Sequence, residues 1–289
     1  MNLARSDDRG WLSYHITVPA PLEPFMVECL WPVLDRDTRP DGPVRRFFFI
    51  RYSDPDLELR LRLRLRQGVP AAAMRARLES CVREYVSRAG SADLAYRVEE
   101  RPYSRVELYF GDALPSVYAE LLNEATSRLT LRLLRGPGGD RWSRRWLALA
   151  AILFLLQRRA AADAHDLSGM LTASRDFAEQ LARTYGFADA TREAPLNSTV
   201  ADASLLDAIE AMHAQLEEDH ELMRIGRLLR RARRVLPNGR FVAMHALHLL
   251  CNKMGLSPHE EYRLMTALDR LAPTAAARLA RGSVSRDVS

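Results

Sequence analysis

From Leu57 to Arg66 the chain alternates strictly, with Leu57, Leu59, Leu61, Leu63 and Leu65 on one side and Glu58, Arg60, Arg62, Arg64 and Arg66 on the other. A period of two over this length predicts a β-strand whose leucine face meets a core. The run before it, Phe47 to Tyr52, is apolar, aromatic and of strand length, and Ser53-Asp54-Pro55-Asp56 between the two has the chemistry of a turn. An antiparallel hairpin follows, with one strand lined by arginines. Upstream, Leu12 to Val18 alternates and stops at Pro19, a first strand. Leu22 to Leu34 places Phe25, Val27, Cys29, Leu30 and Val33 at helical spacing, with Pro24 and Pro32 confining it to a short helix. After the hairpin, Val69 to Arg88 carries a helical stripe of Met74, Leu78, Cys81, Val82, Tyr85 and Val86, and Gly90 ends it. Ala92 to Glu99 reads as a fourth strand, and Arg105 to Phe110 as one more strand or a loop edge. The order β-α-β-β-α-β is that of a ferredoxin-like unit.

Beyond Gly111 the period changes to that of helices. Pro115 to Leu134, Trp142 to Ala162 and Ser168 to Tyr185 are predicted helices, with an exposed break from Arg135 to Asp140. Asp189 to Ala203 reads as a loop, and Ser204 to Val235 as one long amphipathic helix or a broken pair. Phe241 to Met254 is an apolar helix capped by Gly255. Ser257, with Pro258 at the first helical position and Glu260 three residues on, opens the last helix through a capping box. The fold class is therefore α+β. A ferredoxin-like subdomain over residues 1–111 packs against a helical subdomain over 112–281, with a loose tail at 282–289, the whole forming one integrated catalytic domain.

Composition narrows the possibilities. At 289 residues and 47% hydrophobic content the chain can bury a sizeable core. No apolar run approaches the roughly 20 residues that span a bilayer, and the first ten residues lack an apolar signal core, which predicts a cytoplasmic protein without membrane contact. Cys29, Cys81 and Cys251 are scattered and lack metal spacing, so they are expected to be reduced and buried. The formal charge is +5 and the pI about 9.4, with acids mixed among the bases. Lys253 is the single lysine among 42 basic residues, so arginine is a bias of the whole chain. The densest basic segment, Arg224 to Arg234, fits an amphipathic helix whose charged side suits solvent, an acidic peptide or nucleic acid; nothing else in the chain points to nucleic acid.

Phosphate-cradling glycine loops, nucleophile elbows and zinc-protease strings are missing from the sequence, which predicts neither a metal nor a cofactor. The arginine face has two readings, a solvated strand face or a surface for anions and carbonyls. His245 and His248, at i and i+3 on the apolar helix, are either hydrogen-bonded core histidines or a buried acid–base pair.

Two strings together resemble the C-terminal domain of lanthipeptide dehydratases. His248-Leu-Leu-Cys-Asn252-Lys253-Met254-Gly255-Leu256 is similar to that family's His-Met-x-x-Asn-Arg-Leu-Gly, and FFFIRYSDPDLELRLRLR to its Phe-Phe-Ile-Arg-Tyr-x-Asp-Pro-x-x-His-Leu-Arg-Leu-Arg. Trp11 to Ile16 matches the family's opening Trp-x-x-Tyr, and Tyr96 to Tyr103 falls where it carries Tyr-x-x-Glu-x-x-Arg-Tyr-Gly-Gly. The resemblance runs from about Trp11 to Leu271. It implies, in the full dehydratases, elimination of glutamate from glutamylated Ser or Thr by strand arginines, an arginine of the Arg-Tyr string and the histidine. Arg60, Arg62 and His248 match. The third arginine does not, because Pro102-Tyr103-Ser104 occupies its place, and Glu58 stands where the strand's histidine is usual.

A second branch of the resembled family consists of stand-alone proteins of this size that build the pyridine of thiopeptides, and a lone domain with an eroded elimination set is more similar to it. The resemblance then implies a formal [4+2] aza-cycloaddition of two dehydroalanines in a thiazole-containing precursor peptide, with loss of water and leader. Catalysis falls to His248 or Tyr103 as proton carrier and to Arg60 and Arg62 on the substrate carbonyls. Tyr52, Glu58, Arg64, Asn252 and His245 contact the substrate, and Lys253 is structural. The pocket is expected between the arginine face and the helix bearing His248. A stand-alone glutamate-elimination lyase and a non-catalytic leader-peptide-binding partner remain as alternatives. The partner in every case is the precursor peptide; the sequence sets no oligomeric state.

Overall fold

Four antiparallel strands, β1 (Trp11–Thr17), β2 (Val44–Tyr52), β3 (Glu58–Leu65) and β4 (Arg97–Glu100), form the sheet of the first half of the protein in the order β2-β3-β1-β4. The computed structural model describes residues 11–18, 22–52, 57–88, 96–103, 113–135, 142–186, 202–216 and 218–284. It divides into two units, Met1–Gly136 and Pro137–Ser289. In the first unit β1 (Trp11–Thr17) leads into α1 (Leu22–Phe25), a π-helical turn (Met26–Leu30) and α2 (Trp31–Asp37). The hairpin strands β2 (Val44–Tyr52) and β3 (Glu58–Leu65) follow, then α3 (Ala71–Arg88), β4 (Arg97–Glu100) and α4 (Ala113–Arg135). The sequence boundary at 111/112 precedes α4, whereas the units part at Gly136, because α4 packs on β2. The turn at Ser53–Asp56 and the stretch Arg105–Phe110 lie outside the described residues.

The alternation of β3 has the expected effect on one face and a different one on the other. Leu59, Leu61 and Leu63 are buried beside Tyr14 and Ile16 of β1 and Phe47 and Phe49 of β2. The opposite face is not a solvated one at its centre, since Arg62 is 1% exposed. β2 is an edge strand, and α4 covers that edge: the Phe49 N–H donates to Ser127 Oγ at 3.1 Å, and the Arg128 guanidinium lies 5.0 Å from the Phe47 ring. A covered edge cannot recruit further strands.

Two expectations are corrected here. The helix over Leu22–Leu34 extends to Asp37 in spite of Pro24 and Pro32. Pro32 lacks the N–H that the next helical bond needs, and the π turn absorbs this by sending the Trp31 N–H to the Met26 carbonyl. The cysteines are not all reduced: Cys29 and Cys81 are bonded, with Cα atoms 6.0 Å apart, because the π turn packs against α3, while Cys251 is free and buried. The spacing of 52 residues carries no hint of this.

The second unit is helical: α5 (Trp142–Ala160), α6 (Ala164–Thr184), α7 (Asp202–Leu216), α8 (His220–Val235), α9 (Gly239–Met254) and α10 (Pro258–Val284). Residues 204–235 are thus a broken pair, and Asp202–Ala203 belong to α7 rather than to the loop, whose remainder lies outside the described residues. Gly282 to Val284, expected in a loose tail, belong to α10, and residues 285–289 lie outside the described residues. Leu149 to Leu156 of α5 are all buried, as their unbroken apolar run requires. Asp269 on α10 accepts from Thr172 Oγ1 at 2.8 Å and Arg175 Nη1 at 2.5 Å, tying α10 to α6. No helix among the described residues is long and apolar enough to cross a membrane.

Candidate functional site

Register decides which side chains share the arginine face. Ser13, His15 and Thr17 of β1 stand opposite Arg62, Arg60 and Glu58 of β3; Tyr52 of β2 pairs with Glu58, and Glu99 of β4 with His15. The centre of this face is a charge cluster. Arg60 Nε donates to Glu58 Oε1 at 2.7 Å, and the Arg60 guanidinium lies 3.4 Å from the centre of the Tyr52 ring, a cation–π contact. His15 Nδ1 is 2.9 Å from the same Glu58 oxygen but off the line of a hydrogen bond. The Arg101 side chain binds Glu99 through two nitrogens, at 2.9 and 2.5 Å.

These neighbours set the protonation states. Burial alone would raise the Glu58 carboxyl, but the Arg60 hydrogen bond and the charges of His15, Arg60 and Arg101 outweigh it and hold it below the usual carboxylate range. His15 is pushed below the ordinary histidine value by burial first, against the pull of Glu58, with Arg62, Arg60 and Arg101 adding to the push. The cluster is an ionised Glu58 flanked by a cation and a histidine biased to its neutral form.

Beside it, Arg62 reaches toward an aromatic wall. Its guanidinium lies 5.6 Å from the Tyr103 ring, which sits 6.0 Å from Trp11 and 6.1 Å from Phe48. Tyr103 is buried, as is Arg62. Arg64, opposite Trp11 in register, is half-buried. The structure therefore brings Tyr52, Glu58, Arg60, Arg62 and Tyr103 onto one face. His15, Trp11 and Phe48, which join them, were not singled out from sequence; the alternation of LSYHITV puts Ser13, His15 and Thr17 on one side, but only the register with β3 aims them here.

The histidines form a second group, inside the helical unit. α9 ends at Gly255, whose φ of 88° is the left-handed cap that glycine favours, and the half-buried Asn252 supplies a carbonyl to it. His245 is buried, stacked on Phe241 with ring centres 6.2 Å apart, and its ring is 6.0 Å from that of His248. Burial, with lesser contributions from His248 and Lys253, pushes His245 down to about 3, so it is neutral at pH 7. His248 is edge-on to Phe177 at 5.9 Å, and its Nδ1 lies 2.7 Å from Glu261 Oε2. Lys253 is fully buried, and burial holds its amine well below the usual lysine value. Among the described residues no group of three or more His, Cys, Asp or Glu could hold a metal.

The arginine-lined strand lies in the antiparallel sheet, and the His-x-x-x-Asn string lies on α9 of the helical unit. The chain belongs to the family described as lantibiotic biosynthesis dehydratase C-term, which matches residues 11–272. No curated protein matches the chain. Among solved structures it is similar to the pyridine synthase TbtD from thiomuracin biosynthesis, at 15% identity and a TM-score of 0.63, covering 93% of this chain and 99% of that one. It is similar to TsrL at 16% identity and a TM-score of 0.60, covering 93% and 95%. The tRNA-dependent lantibiotic dehydratase MibB from Microbispora sp. 107891 shares 18% identity and a TM-score of 0.56. That alignment takes in 94% of this chain but only 29% of the dehydratase. At these identities the likeness is one of fold.

Proposed function

We propose that this protein is a thiopeptide pyridine synthase, acting on a precursor peptide composed of a leader and a core with thiazoles and two dehydroalanines. Glu58 is the observation that carries this reading. Elimination of glutamate from a glutamylated side chain must accommodate a departing carboxylate and an enolate-like charge, for which cations aimed at substrate are suited. Here Glu58 offsets the charge of Arg60, and Glu99 that of Arg101, the arginine next to the Pro102-Tyr103 string, which weakens the pull on a departing carboxylate more than on a neutral carbonyl. A carboxylate already within the cluster repels another. Cyclisation develops less net charge and asks mainly for two alkenes held in contact, where the lost translational entropy supplies most of the acceleration. The likeness of fold to a pyridine synthase over nearly the length of both chains supports the same choice.

In this reading one dehydroalanine amide tautomerises to an iminol, giving a 2-azadiene that joins the second dehydroalanine through two new carbon–carbon bonds. The adduct then loses water and the leader, which departs as a C-terminal amide. Arg60 and Arg62 hold substrate carbonyls, and His248 or Tyr103 moves the proton. Tyr52, Glu58, Arg64, Asn252 and His245 line the path of the peptide. We also read the first unit as ferredoxin-like, a reading supported by its strand order and by the helices between β1 and β2 and between β3 and β4.

Mass spectrometry tests the function directly. A linear thiazole peptide bearing two dehydroalanines should lose water and leader and gain pyridine absorbance, with no metal, nucleotide or aminoacyl-tRNA added. Loss of glutamate from a glutamylated peptide, without cyclisation, would identify a glutamate-elimination lyase instead. Peptide binding with neither conversion would identify a leader-binding partner.

A further inference from the structure

His248 is fixed through one ring nitrogen. Nδ1 lies 2.7 Å from Glu261 Oε2, so Nε2 is the nitrogen left to meet a substrate. The backbone explains how two residues 13 positions apart come together. Gly255 closes α9 in the left-handed conformation, and the Leu256 N–H returns to the Cys251 carbonyl. Ser257 then opens α10 through a reciprocal cap: its N–H and Oγ donate to Glu260 Oε2 at 2.7 and 2.8 Å, and the Glu260 N–H returns to Ser257 Oγ at 3.3 Å. Glu260 is consumed by the cap. Its neighbour Glu261, in the same first turn, is the one carried inward to 2% exposure, where the positive end of the helix dipole favours negative charge.

We propose that Glu261 is a positioning residue for His248: its carboxylate accepts from Nδ1–H and so holds the ring in the tautomer whose Nε2 lone pair takes the substrate proton. The inference rests on the reading above that His248 moves a proton. The other groups on and around the ring agree with it. Phe177 of α6 meets His248 edge-on and supplies no charge. On α9 itself His245 is neutral at pH 7, Lys253 is held toward its neutral form, and burial raises the Cys251 thiol well above its usual range, leaving it protonated. Glu261 is therefore the group that sets which nitrogen carries the proton, a role that carboxylates behind histidine commonly play.

The test is nitrogen-15 NMR of the His248 ring in the wild-type chain, Glu261→Gln and Glu261→Leu, without substrate, together with kcat and KM on the dehydroalanine peptide. The wild type should carry the neutral proton on Nδ1. Glu261→Gln should keep it there, because the amide oxygen still accepts. Glu261→Leu should shift the proton to Nε2 and lower kcat about 10- to 100-fold with KM little changed. A wild-type ring protonated on Nε2 overturns the proposal, as does a Leu variant that keeps both tautomer and turnover. If the Leu variant does not fold, a Glu261→Gln chain whose ring carries the proton on Nε2 with kcat unchanged overturns it equally. A wild-type chain with the expected tautomer but no pyridine product refutes the function and leaves the role of Glu261 in orienting the ring intact.

Discussion

At His245 the surroundings oppose a proton, and the sign of the resulting pH dependence can be worked out. The folded chain keeps this ring neutral down to about pH 3, whereas an unfolded chain protonates it near the ordinary value of about 6.5. Between those limits the unfolded state binds more protons, so stability falls as pH falls, by about 1.4 kcal/mol per pH unit for one such group. From pH 6.5 to 4.5 His245 alone should remove up to about 3 kcal/mol. Urea unfolding of the wild type and His245→Gln at both pH values checks this: the variant should show a smaller acid loss, and equal slopes would mean the ring protonates inside the fold. At this scale the sequence was legible where a local pattern sets the side of a residue, as alternation does for Arg60 and Arg62. Glu261 and His15 escaped, because their partners are chosen by a helix cap and a strand register.

Elements were legible in proportion to how local their causes are. The ten-residue alternation of Leu57–Arg66, the Ser257 capping box and the Gly255 cap are all decided within a few residues, and each has its predicted form. The Cys29–Cys81 bond depends on packing against α3, so no sequence pattern announces it. Gly239 shows how packing can reverse a local preference. It opens α9, where alanine would gain about 1 kcal/mol of helix propensity. A Cβ there would stand 2.3 Å from the Ala232 carbonyl oxygen and 2.6 Å from the Arg233 Cα, both backbone atoms of α8. Neither can yield without moving α8 against α9, an overpacking cost of about 1–3 kcal/mol. Gly239→Ala should therefore lower the thermal midpoint, while Gly169→Ala, which meets only the movable tip of Arg240 at 2.8 Å, should leave it level or raise it. Equal effects of the two would show that the α8–α9 crossing is softer than its geometry implies.

For the whole molecule the relevant quantity is its charge, +5 overall, and where that charge is free to meet a partner. α8 concentrates it. Leu222, Ile225, Leu229 and Ala232 bury one side of this helix; Arg224 pairs with Glu221 within it, and its other arginines divide into two sets. Arg230 binds the Arg159 carbonyl, and Arg233 binds the Ala160 carbonyl and Asp166, so both serve the packing of α8 on its neighbours. Arg227, Arg231 and Arg234 are exposed. An acidic leader peptide is the partner such a row suits, and attraction between exposed charges is screened beyond about 8 Å at physiological salt. Leader affinity measured by fluorescence anisotropy should thus weaken from about 50 to 500 mM salt. Each exposed pair contributes about 0.2–1 kcal/mol, so replacing all three arginines with glutamine should weaken binding roughly 3- to 150-fold and flatten the salt dependence. Affinity that ignores both salt and the triple substitution would mean that the leader is held in an apolar groove, and that α8 is basic for no reason beyond the arginine bias of the chain.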